Sequence, residues 1–281
     1  MEYSNPKIPE GINTSIEHPV REFLQLTSGV VGVVVIAVFI LGVLADRLAH
    51  HIPFSAEQNI NIPLDKHEVK GQAINRYLES LTHKIAQAAD LPPDMKLKIH
   101  YVNSKTVNAF ATLGGNLIMY RGLMEKMPSE NALVMVLAHE IAHIKHRHPI
   151  RSVGRGMVIG LTLGLVSSSL GDSLTGNFVN KTGQVTALKF SRDHENEADA
   201  TALQVLQKLY GHVQGAEAVF KALEAERKRH GKNEPGFEFL STHPFTGKRL
   251  QRLEQAAQNT QNDAQPLTPL PKQYKYWLKA K

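Results

Sequence analysis

The pattern of hydrophobic and polar positions separates one long apolar segment from the rest of the chain. From Phe23 to Ala45 there are 23 consecutive residues without a charged side chain, bounded by Glu22 and Asp46. As an α-helix this run extends ~34 Å, which is enough to cross a hydrocarbon core of about 30 Å. The pattern predicts a single transmembrane anchor at residues 23–45, preceded by an N-terminal tail at residues 1–22.

A cleaved signal peptide is the main alternative to a retained anchor, because Val43-Leu-Ala45 has the small residues of a cleavage site. However, the residues before the apolar run include acidic as well as basic side chains. The run is also longer than the roughly 7–15 apolar residues of an ordinary signal peptide. Both features favour a retained anchor.

Beyond the anchor, the pattern becomes that of a folded domain. Residues 46–72 contain Pro53 and Pro63 and predict an extended juxtamembrane linker and the start of a helix. The helix is predicted from Asp65 to Ala89, because apolar residues recur there three and four positions apart. These residues are Val69, Ala73, Ile74, Tyr77, Leu78, Leu81, Ile85 and Ala88.

Short strands and a central helix follow. Leu97 to Val102, Asn108 to Leu113 and Asn116 to Tyr120 predict three strands, with Gly114-Gly115 as the turn of a hairpin. Ser129 is a good helix start, and the residues after it, up to position 144, are apolar on nearly every face. A helix of that kind belongs in the middle of a domain. The predicted fold class is therefore α+β and mostly helical, with a small sheet.

Composition restricts the chemistry that the chain can use. It has no cysteine and 14 histidines. Without thiols there is no disulfide, thiolate metal site or cysteine nucleophile, so a transition metal would be bound by nitrogen and oxygen. The formal net charge is +6, but the basic residues are scattered and the densest run, Glu226 to His230, is short. We therefore expect no nucleic-acid partner.

The central helix carries the motif His139-Glu-Ile-Ala-His143. Residues four apart lie on one helix face, about 5–6 Å from each other, so both imidazoles can bind one ion while Glu140 flanks the open position. The apolar neighbours argue against a pair of surface histidines, because buried imidazoles without partners are costly. The motif predicts a zinc site with a base beside it.

A catalytic zinc needs a third protein ligand. The short pattern in which a Gly and a third His follow the motif is absent, since His146 and Pro149 stand at those positions. The best candidates lie in the acidic stretch from Ser191 to Asp199, which opens a helix. Glu195 and Asp199 are four apart on one face, so one can bind the metal while the other accepts a hydrogen bond from a ligand histidine.

Three ordered motifs resemble those of the M48 peptidases, the Ste24- and HtpX-like gluzincins. They are His139-Glu-x-x-His143, then Glu195-x-x-Ala-Asp199, and His243-Pro244 followed by Arg249. The similarity covers roughly residues 73–256 and implies a zincin-like metallopeptidase domain there. The Gln-, Asn- and Pro-rich composition that follows predicts a flexible C-terminal tail at residues 257–281.

The resemblance implies a role for each matching residue. Glu195 would be the third zinc ligand, and Asp199 the outer partner of a ligand histidine. Glu140 would take a proton from a zinc-activated water and return it to the leaving amine. His243 would steady the tetrahedral oxyanion or, as in some periplasmic members, occupy the zinc as a latch, with Arg249 bracing that segment.

The resemblance also implies that substrate lies along an edge strand formed by residues Asn108, Ala109, Phe110 and Ala111. Main-chain hydrogen bonds to such a strand hold a peptide without reading its side chains. We expect a zinc metalloendopeptidase with one Zn²⁺ per chain, acting on unfolded or misassembled polypeptides. The alternatives are a metal-binding, chaperone-like adaptor and a membrane-tethered scaffold. Glu140 argues against the adaptor, because a structural zinc site has no use for a base.

Two further segments have an ambiguous pattern. Residues 154–170 are apolar but interrupted by glycine and serine, which favours an active-site lid or a membrane-facing helix over a second span. The aromatic and basic patch from Tyr274 to Lys279 is suited to docking on the domain or on a headgroup surface. The pattern gives no indication of the oligomeric state.

The expected location is a membrane, crossed once, with the lipid bilayer as a partner. Lys7 and Arg21 precede the anchor while Arg47, Lys66 and Lys70 follow it, so the charge bias does not set the orientation. A thiol-free chain favours an extracytoplasmic compartment. We therefore expect a bacterial inner-membrane protein with its catalytic domain on the periplasmic side.

Overall fold

The first helix, α1 (Pro19–Ala49), is apolar and largely exposed. The computed structural model describes residues 18–49, 51–60, 67–168, 190–230, 239–243, 246–259 and 266–279. Within those ranges α1 is the one helix that is long and apolar enough to cross a membrane. An exposed apolar surface of this length is typical of a lipid-facing segment. The predicted anchor is therefore present as a helix that projects from the domain.

A four-stranded sheet forms one side of the domain. Its strands are β1 (Glu68–Val69), β2 (Lys98–Val102), β3 (Ala109–Thr112) and β4 (Asn116–Tyr120), in the order β1-β2-β4-β3. β2 and β4 are parallel, while the outer pairs are antiparallel. β3 is consequently an edge strand with one partner in the sheet.

A tight turn of glycines joins β3 to β4. Gly114 and Gly115 both have positive φ, at 69° and 79°, a region that side chains with a Cβ disfavour. A Cβ at Gly115 would lie 2.2 Å from the carbonyl oxygen of Lys96. The hairpin predicted around this pair is present, and only glycine fits its closest approach.

Helices α3 (Ala73–Ala88), α4 (Arg121–Met124) and α5 (Glu130–Lys145) pack on the sheet, and α3 also packs on α5. α5 is the central helix, and every residue from 131 to 144 is buried. It begins at Ser129, whose hydroxyl accepts a hydrogen bond from the N–H of Ala132 at 3.2 Å. The mostly helical α+β fold expected from the sequence is confirmed, with α5 in the core.

The remaining helices cover α5 and lead away from it. They are α6 (His148–Ser168), α7 (Arg192–Tyr210), α8 (Ala218–His230), α9 (Phe239–Thr242), α10 (Gly247–Asn259) and α11 (Tyr274–Trp277). α7 packs along α5, and its start is capped by Ser191, whose hydroxyl accepts a hydrogen bond from the N–H of His194. This packing brings the acidic start of α7 to the motif on α5.

The juxtamembrane segment is more ordered than an extended linker. It contains the short helix α2 (Phe54–Gln58), in which Phe54 and Glu57 are buried. Glu57 accepts a hydrogen bond from Arg147 at 2.5 Å. Arg147 has a φ of 61° and forms the turn between α5 and α6. The ion pair therefore holds Arg147 in a left-handed backbone conformation that residues other than glycine seldom adopt. The local sequence pattern gives no sign of this interaction, because it joins distant segments.

Two other boundaries differ from the expected ones. α3 begins at Ala73 rather than near residue 65, because Glu68–Val69 pair with β2 and Gly71, with a φ of 72°, breaks the helix. Within the expected flexible tail, residues 266–279 pack on the domain, where Tyr274 and Leu278 are buried. Burial of these two side chains is a tertiary effect that the polar composition of the tail concealed.

Candidate metal centre

Three side chains from two helices converge in the core of the domain. His139 and His143 project from the same face of α5, with their Nε2 atoms 3.0 Å apart. The carboxylate of Glu195, on α7, lies 3.5 Å from each of these nitrogens. All three side chains are fully or almost fully buried. The helical spacing of the motif and the packing of α7 on α5 thus assemble two nitrogens and a carboxylate around one point.

A fourth donor comes from the residue that follows α9. The Nδ1 atom of His243 lies 3.3 Å from Nε2 of His139 and 3.2 Å from Oε1 of Glu195. Ligand atoms from His139, His143, Glu195 and His243 all lie within 4.8 Å of one another, a distance that allows them to hold one metal ion. His243 is buried as well. The cluster in this structure therefore has four donors rather than three.

One side of the cluster is oriented by Asp199 and Arg249. The Nδ1 atom of His139 lies 3.1 Å from Oδ1 of Asp199. Arg249 donates to both oxygens of Asp199, each at 2.8 Å, and also to Glu195. A buried guanidinium thus joins the two carboxylates of α7. Burial opposes charge on both carboxylates. His243 and His139 outweigh it at Glu195, and His139 and Arg249 outweigh it at Asp199, so the pKa of each carboxylate is lowered.

The other ligand histidine has an outer partner that the sequence pattern did not identify. The Nδ1 atom of His143 lies 2.8 Å from Nδ1 of His148, and Nε2 of His148 lies 3.0 Å from Oε2 of Glu197. His148 is fully buried. It is placed there by the left-handed turn at Arg147, and helical periodicity gives no signal for such a turn.

Phe190 is another residue of the site that the sequence pattern did not single out. Its ring stacks on the ring of His143, with the centroids 3.9 Å apart and the planes 15° apart. It also lies near His243, at a centroid separation of 5.6 Å. Phe190 is buried and shields the cluster from water on this side. His146, in contrast, is half-buried and contacts Thr201 and Glu197 rather than the cluster.

Glu140 lies between the donor cluster and the edge strand. Its Oε2 accepts a hydrogen bond from the N–H of Ala111 at 2.8 Å, and its Oε1 lies 3.3 Å from Nε2 of His243. Immediately before β3, the carbonyl of Asn108 accepts a hydrogen bond from the N–H of Tyr120 at the end of β4. Because antiparallel pairing alternates, the main-chain groups of Ala109 and Ala111 point away from β4 and towards the cluster. Of the four residues expected to form the substrate edge, Ala111 thus contacts Glu140 directly.

The donor set fits a transition-metal ion that prefers nitrogen and oxygen ligands. Burial and the neighbouring His139 hold the pKa of His143 far below its usual value, so this ring is in the neutral form that binds metals. Burial also opposes charge on His139, but Asp199 and Glu195 outweigh it and raise its pKa to about 9. Each ligand ring has an outer partner at Nδ1, which directs Nε2 towards the shared centre.

A buried helix with His-Glu-x-x-His and a carboxylate from a second helix define the class of zincin-like metallopeptidases. The sequence profile described as "Peptidase family M48" matches residues 72–257. The chain belongs to this family, so the family resemblance seen in the sequence is confirmed. The finer Ste24- and HtpX-like subdivision stays a prediction.

Relatives with curated names support the same family. The chain is 30% identical over 165 residues to mitochondrial metalloendopeptidase OMA1 of Schizosaccharomyces pombe, covering 58% of this chain and 47% of that protein. It is 28% identical over 222 residues to the β-barrel assembly-enhancing protease of Escherichia coli, covering 74% and 43%. OMA1 of Saccharomyces cerevisiae is 27% identical over 187 residues, covering 63% and 54%. The chain thus spans about half the length of these relatives.

Proposed function

We propose that this chain is a membrane-anchored zinc metalloendopeptidase that hydrolyses peptide bonds in unfolded or misassembled proteins. The observation that carries the proposal is the position of Glu140, a buried carboxylate between a four-donor cluster and the side of edge strand β3 that faces away from β4. A base in that position is useful for hydrolysis, and a purely structural metal site has no need for it. Membership of the M48 family supports the same activity.

His139, His143 and Glu195 would hold one zinc ion. Two imidazole nitrogens and a carboxylate are a common ligand set for catalytic zinc, and the chain contains no cysteine that would favour a structural site. A zinc ion held there would supply a Lewis acid and increase the acidity of a water molecule. Asp199 would keep the ring of His139 in place, and Arg249 would keep Glu195 ionised and aimed at the centre.

Glu140 would move the proton during hydrolysis. It accepts the proton of the attacking water as a general base and returns it to the amine that leaves. The hydrogen bond from Ala111 holds the carboxylate next to the strand on which the substrate would lie. A peptide added to β3 as a further strand would place its main chain beside Glu140 through hydrogen bonds to the main chain of Ala109 and to the carbonyl of Ala111. Such binding depends on an extended conformation rather than on a particular sequence, which suits unfolded substrates.

We further propose that His243 acts as a latch in the resting enzyme. Its Nδ1 lies among the other donor atoms, and its Nε2 faces Glu140. In this position it would take the fourth site that a catalytic zinc leaves open for water. Displacement of His243 would open the site and free Glu140. The alternative role, stabilisation of the oxyanion, requires the same ring to withdraw from Glu195 first.

We propose that the chain crosses a bacterial inner membrane once and that its peptidase domain lies on the periplasmic side. The apolar helix α1 and the absence of cysteine support this arrangement. The name of the E. coli relative, a β-barrel assembly-enhancing protease, agrees with quality control of envelope proteins. Two reporters fused after Lys281 test the orientation. Alkaline phosphatase is active only outside the cytoplasm, whereas a fluorescent protein that requires the cytoplasm is active only inside it.

The proposed activity is tested with casein as an unfolded substrate. Glu140→Gln should keep the bound zinc but lose cleavage, whereas Glu195→Ala should lose both. Glu125→Gln is a matched control, since Glu125 pairs with Arg121 on the surface, away from the cluster. Zinc is measured by elemental analysis of the purified chain. If Glu140→Gln cleaves casein as fast as the unmodified protein, the assignment of the base is wrong; if the unmodified protein binds zinc but never cleaves, it is an adaptor.

A further inference from the structure

The anchor and α6 are joined at the point where both meet the domain. Arg151, near the start of α6, donates to both carboxylate oxygens of Asp46, at 3.0 and 2.7 Å. One turn further along α6, a Cβ added at Gly154 would lie 3.7 Å from the Cβ of Ala45. Asp46 and Ala45 are close to the end of α1, where its charge-free run stops. The start of α6 therefore lies level with the domain end of the anchor.

From this junction α6 runs back along the anchor. α1 reaches the domain at its C-terminal end, whereas α6 leaves the domain from its N-terminal end, so their extensive packing requires an antiparallel arrangement. The exposure of α1 agrees with this. From Pro19 to Val31 every residue of α1 is exposed, but partly covered positions recur along one side of the helix beyond it. These positions are Gly32, Val34, Ala37, Val38, Gly42, Ala45 and Asp46.

The covered face shows how far the two helices stay together. Gly32 and Ala45 are separated by thirteen residues, which is ~20 Å along a helix. That distance is about two thirds of a hydrocarbon core of ~30 Å. The part of α6 from Arg151 to its end at Ser168 has a helical rise of ~26 Å and is long enough to cover this face. From Gly156 to Ser168 it contains no charged residue.

We propose that α6 enters the bilayer beside α1, and that this helical hairpin holds the metal-binding cluster at the membrane surface. Lipid is the occupant that suits the exposed side of the hairpin, because Met157 is 63% exposed on the charge-free part of α6. At the level of Asp46, Arg47 is exposed and Arg155 is partly exposed. Arginines at this level are placed to reach lipid phosphates while their stems stay along the apolar surface.

The hairpin also fixes the height of the site above the membrane. His148, the first residue of α6, contacts His143 of the cluster. Arg151 is three residues further on, ~4.5 Å along the helix axis, and it pairs with Asp46 at the end of the anchor's apolar run. The cluster is therefore within a few ångströms, in the direction of the helix axis, of the residues at the membrane boundary. Given the proposed peptidase function, the substrate class is polypeptide segments that lie next to a membrane.

The insertion of α6 is tested by its depth, which does not depend on activity. Because the chain has no cysteine, single cysteines can be added and spin-labelled in the full chain, reconstituted in phosphatidylcholine vesicles containing phosphatidylglycerol. Labels from Leu161→Cys and Leu165→Cys should be as protected from a water-soluble nickel reagent as one from Val35→Cys in α1. A label from Gln204→Cys, exposed on α7, is the aqueous control. If the α6 labels are as accessible as this control, α6 does not enter the bilayer.

The substrate class is tested with a peptide anchored in the same vesicles. Its cleavable segment is placed about 5 or about 40 flexible residues from the anchor, the longer linker reaching ~35 Å. The short-linker peptide should be cleaved about tenfold faster, because its effective concentration at the site is higher. Equal rates with the two linkers would overturn the inferred substrate class. Casein cleavage in detergent is measured in parallel, so absence of all cleavage would reject the peptidase function and leave the depth result intact.

A charge exchange tests whether the junction sets this preference. Asp46→Arg places a third cation beside Arg151 and Arg155 and should reduce the ratio of short- to long-linker cleavage to near one. The double variant Asp46→Arg with Arg151→Asp restores an opposite pair and should restore the ratio. Neither variant changes the metal-binding cluster, so casein cleavage in detergent should stay within about twofold. If Asp46→Arg leaves the linker preference unchanged, the junction does not determine the height of the site.

Discussion

The Nδ1 atoms of His143 and His148 lie 2.8 Å apart, so one of these rings donates a hydrogen bond to the other. Nε2 of His143 faces the donor cluster and must be free of a proton to bind a metal, which places the proton on its Nδ1. Burial holds the pKa of His148 far below its usual value, so this ring is neutral. It accepts from His143 at Nδ1 and donates from Nε2 to Glu197. The chain of hydrogen bonds orients His143 as Asp199 orients His139.

We predict that His148→Ala weakens metal binding by about 10- to 100-fold, the usual effect of removing an outer partner of a ligand histidine. Competition with a chelator measures the affinity, and the absorption spectrum of the Co²⁺-substituted protein reports the altered geometry. His146→Ala is the matched control, because His146 also contacts Glu197 but no ligand. Equal losses in the two variants would show that the effect is general destabilisation rather than orientation of His143.

Substitution of His243 distinguishes its two proposed roles, the latch and stabilisation of the oxyanion. If it closes the fourth position at rest, His243→Ala removes the latch and raises casein cleavage. If about a tenth of the resting molecules are in the open form, the rate of casein cleavage should rise by up to about tenfold. Initial rates of casein cleavage at equal zinc content provide the measurement. A fall of kcat by about 100-fold would instead assign His243 to the oxyanion, since that is the usual cost of removing such a donor.

Arg249 neutralises two buried carboxylates, and its removal should be costly. Asp199 and Glu195 are both buried and both receive hydrogen bonds from it. Arg249→Leu leaves them without a cation, and breaking a buried pair in this way costs about 3–5 kcal/mol of unfolding free energy. Urea unfolding of the metal-free protein measures the loss. Arg252→Leu, at an exposed contact with Asn196, should change stability by less than about 0.5 kcal/mol.

The raised pKa values of two buried tyrosines lead to a prediction of how the unfolding free energy depends on alkaline pH. Tyr77 and Tyr210 donate to the two oxygens of Glu130 at 2.8 and 3.0 Å. Burial, together with the negative charge of Glu130, raises the pKa of both hydroxyls above its usual value of about 10. A raised pKa in the folded state stabilises the protein below the unfolded pKa, and this stabilisation is lost as pH rises through the folded pKa.

The unfolding free energy should therefore fall as the pH is raised from about 9 to above 10. In Tyr77→Phe the fall should be smaller, because one of the buried tyrosines with a raised pKa is gone. Stability at pH 8 should drop by about 1.5–3 kcal/mol, because the hydrogen bond to the carboxylate is lost. Urea unfolding across this range provides the test. Tyr276→Phe is the control, since Tyr276 is 75% exposed and should leave the pH dependence unchanged. A fall of the same size in Tyr77→Phe would contradict the assignment.

The elements that were predictable are those specified by local patterns. The periodicity of α3, the apolar run of α5 and the serine cap of α7 all depend on residues within a few positions of one another. The same locality made His139, Glu140 and His143 recognisable, because their spacing alone places them together. The acidic start of α7 made Glu195 and Asp199 candidates for the third ligand, and the resemblance to the M48 peptidases indicated Glu195.

The features that were missed depend on contacts between distant segments. The turn at Arg147 is held by Glu57, which lies ninety residues earlier in the chain. His148 acquires its position at the cluster from that turn, and Phe190 stacks on His143 from the start of another segment. Periodicity measures only which face of one element is apolar. It contains no information about which distant side chain supports a turn or covers a ring.

The C-terminal segment, residues 266–279, is also positioned by contacts with distant parts of the chain, and these contacts give a final prediction. Leu278 is fully buried, its carbonyl accepts from the hydroxyl of Tyr101 at 2.7 Å, and Tyr274 donates to the carbonyl of Met124 at 3.1 Å. Leu278→Ala should lower the unfolding free energy by about 2–5 kcal/mol, the usual cost of a cavity in a core. Urea unfolding measures the change, and Lys275→Ala is an exposed control on the same segment. If both variants are as stable as the unmodified protein, the segment does not contribute to the core in solution.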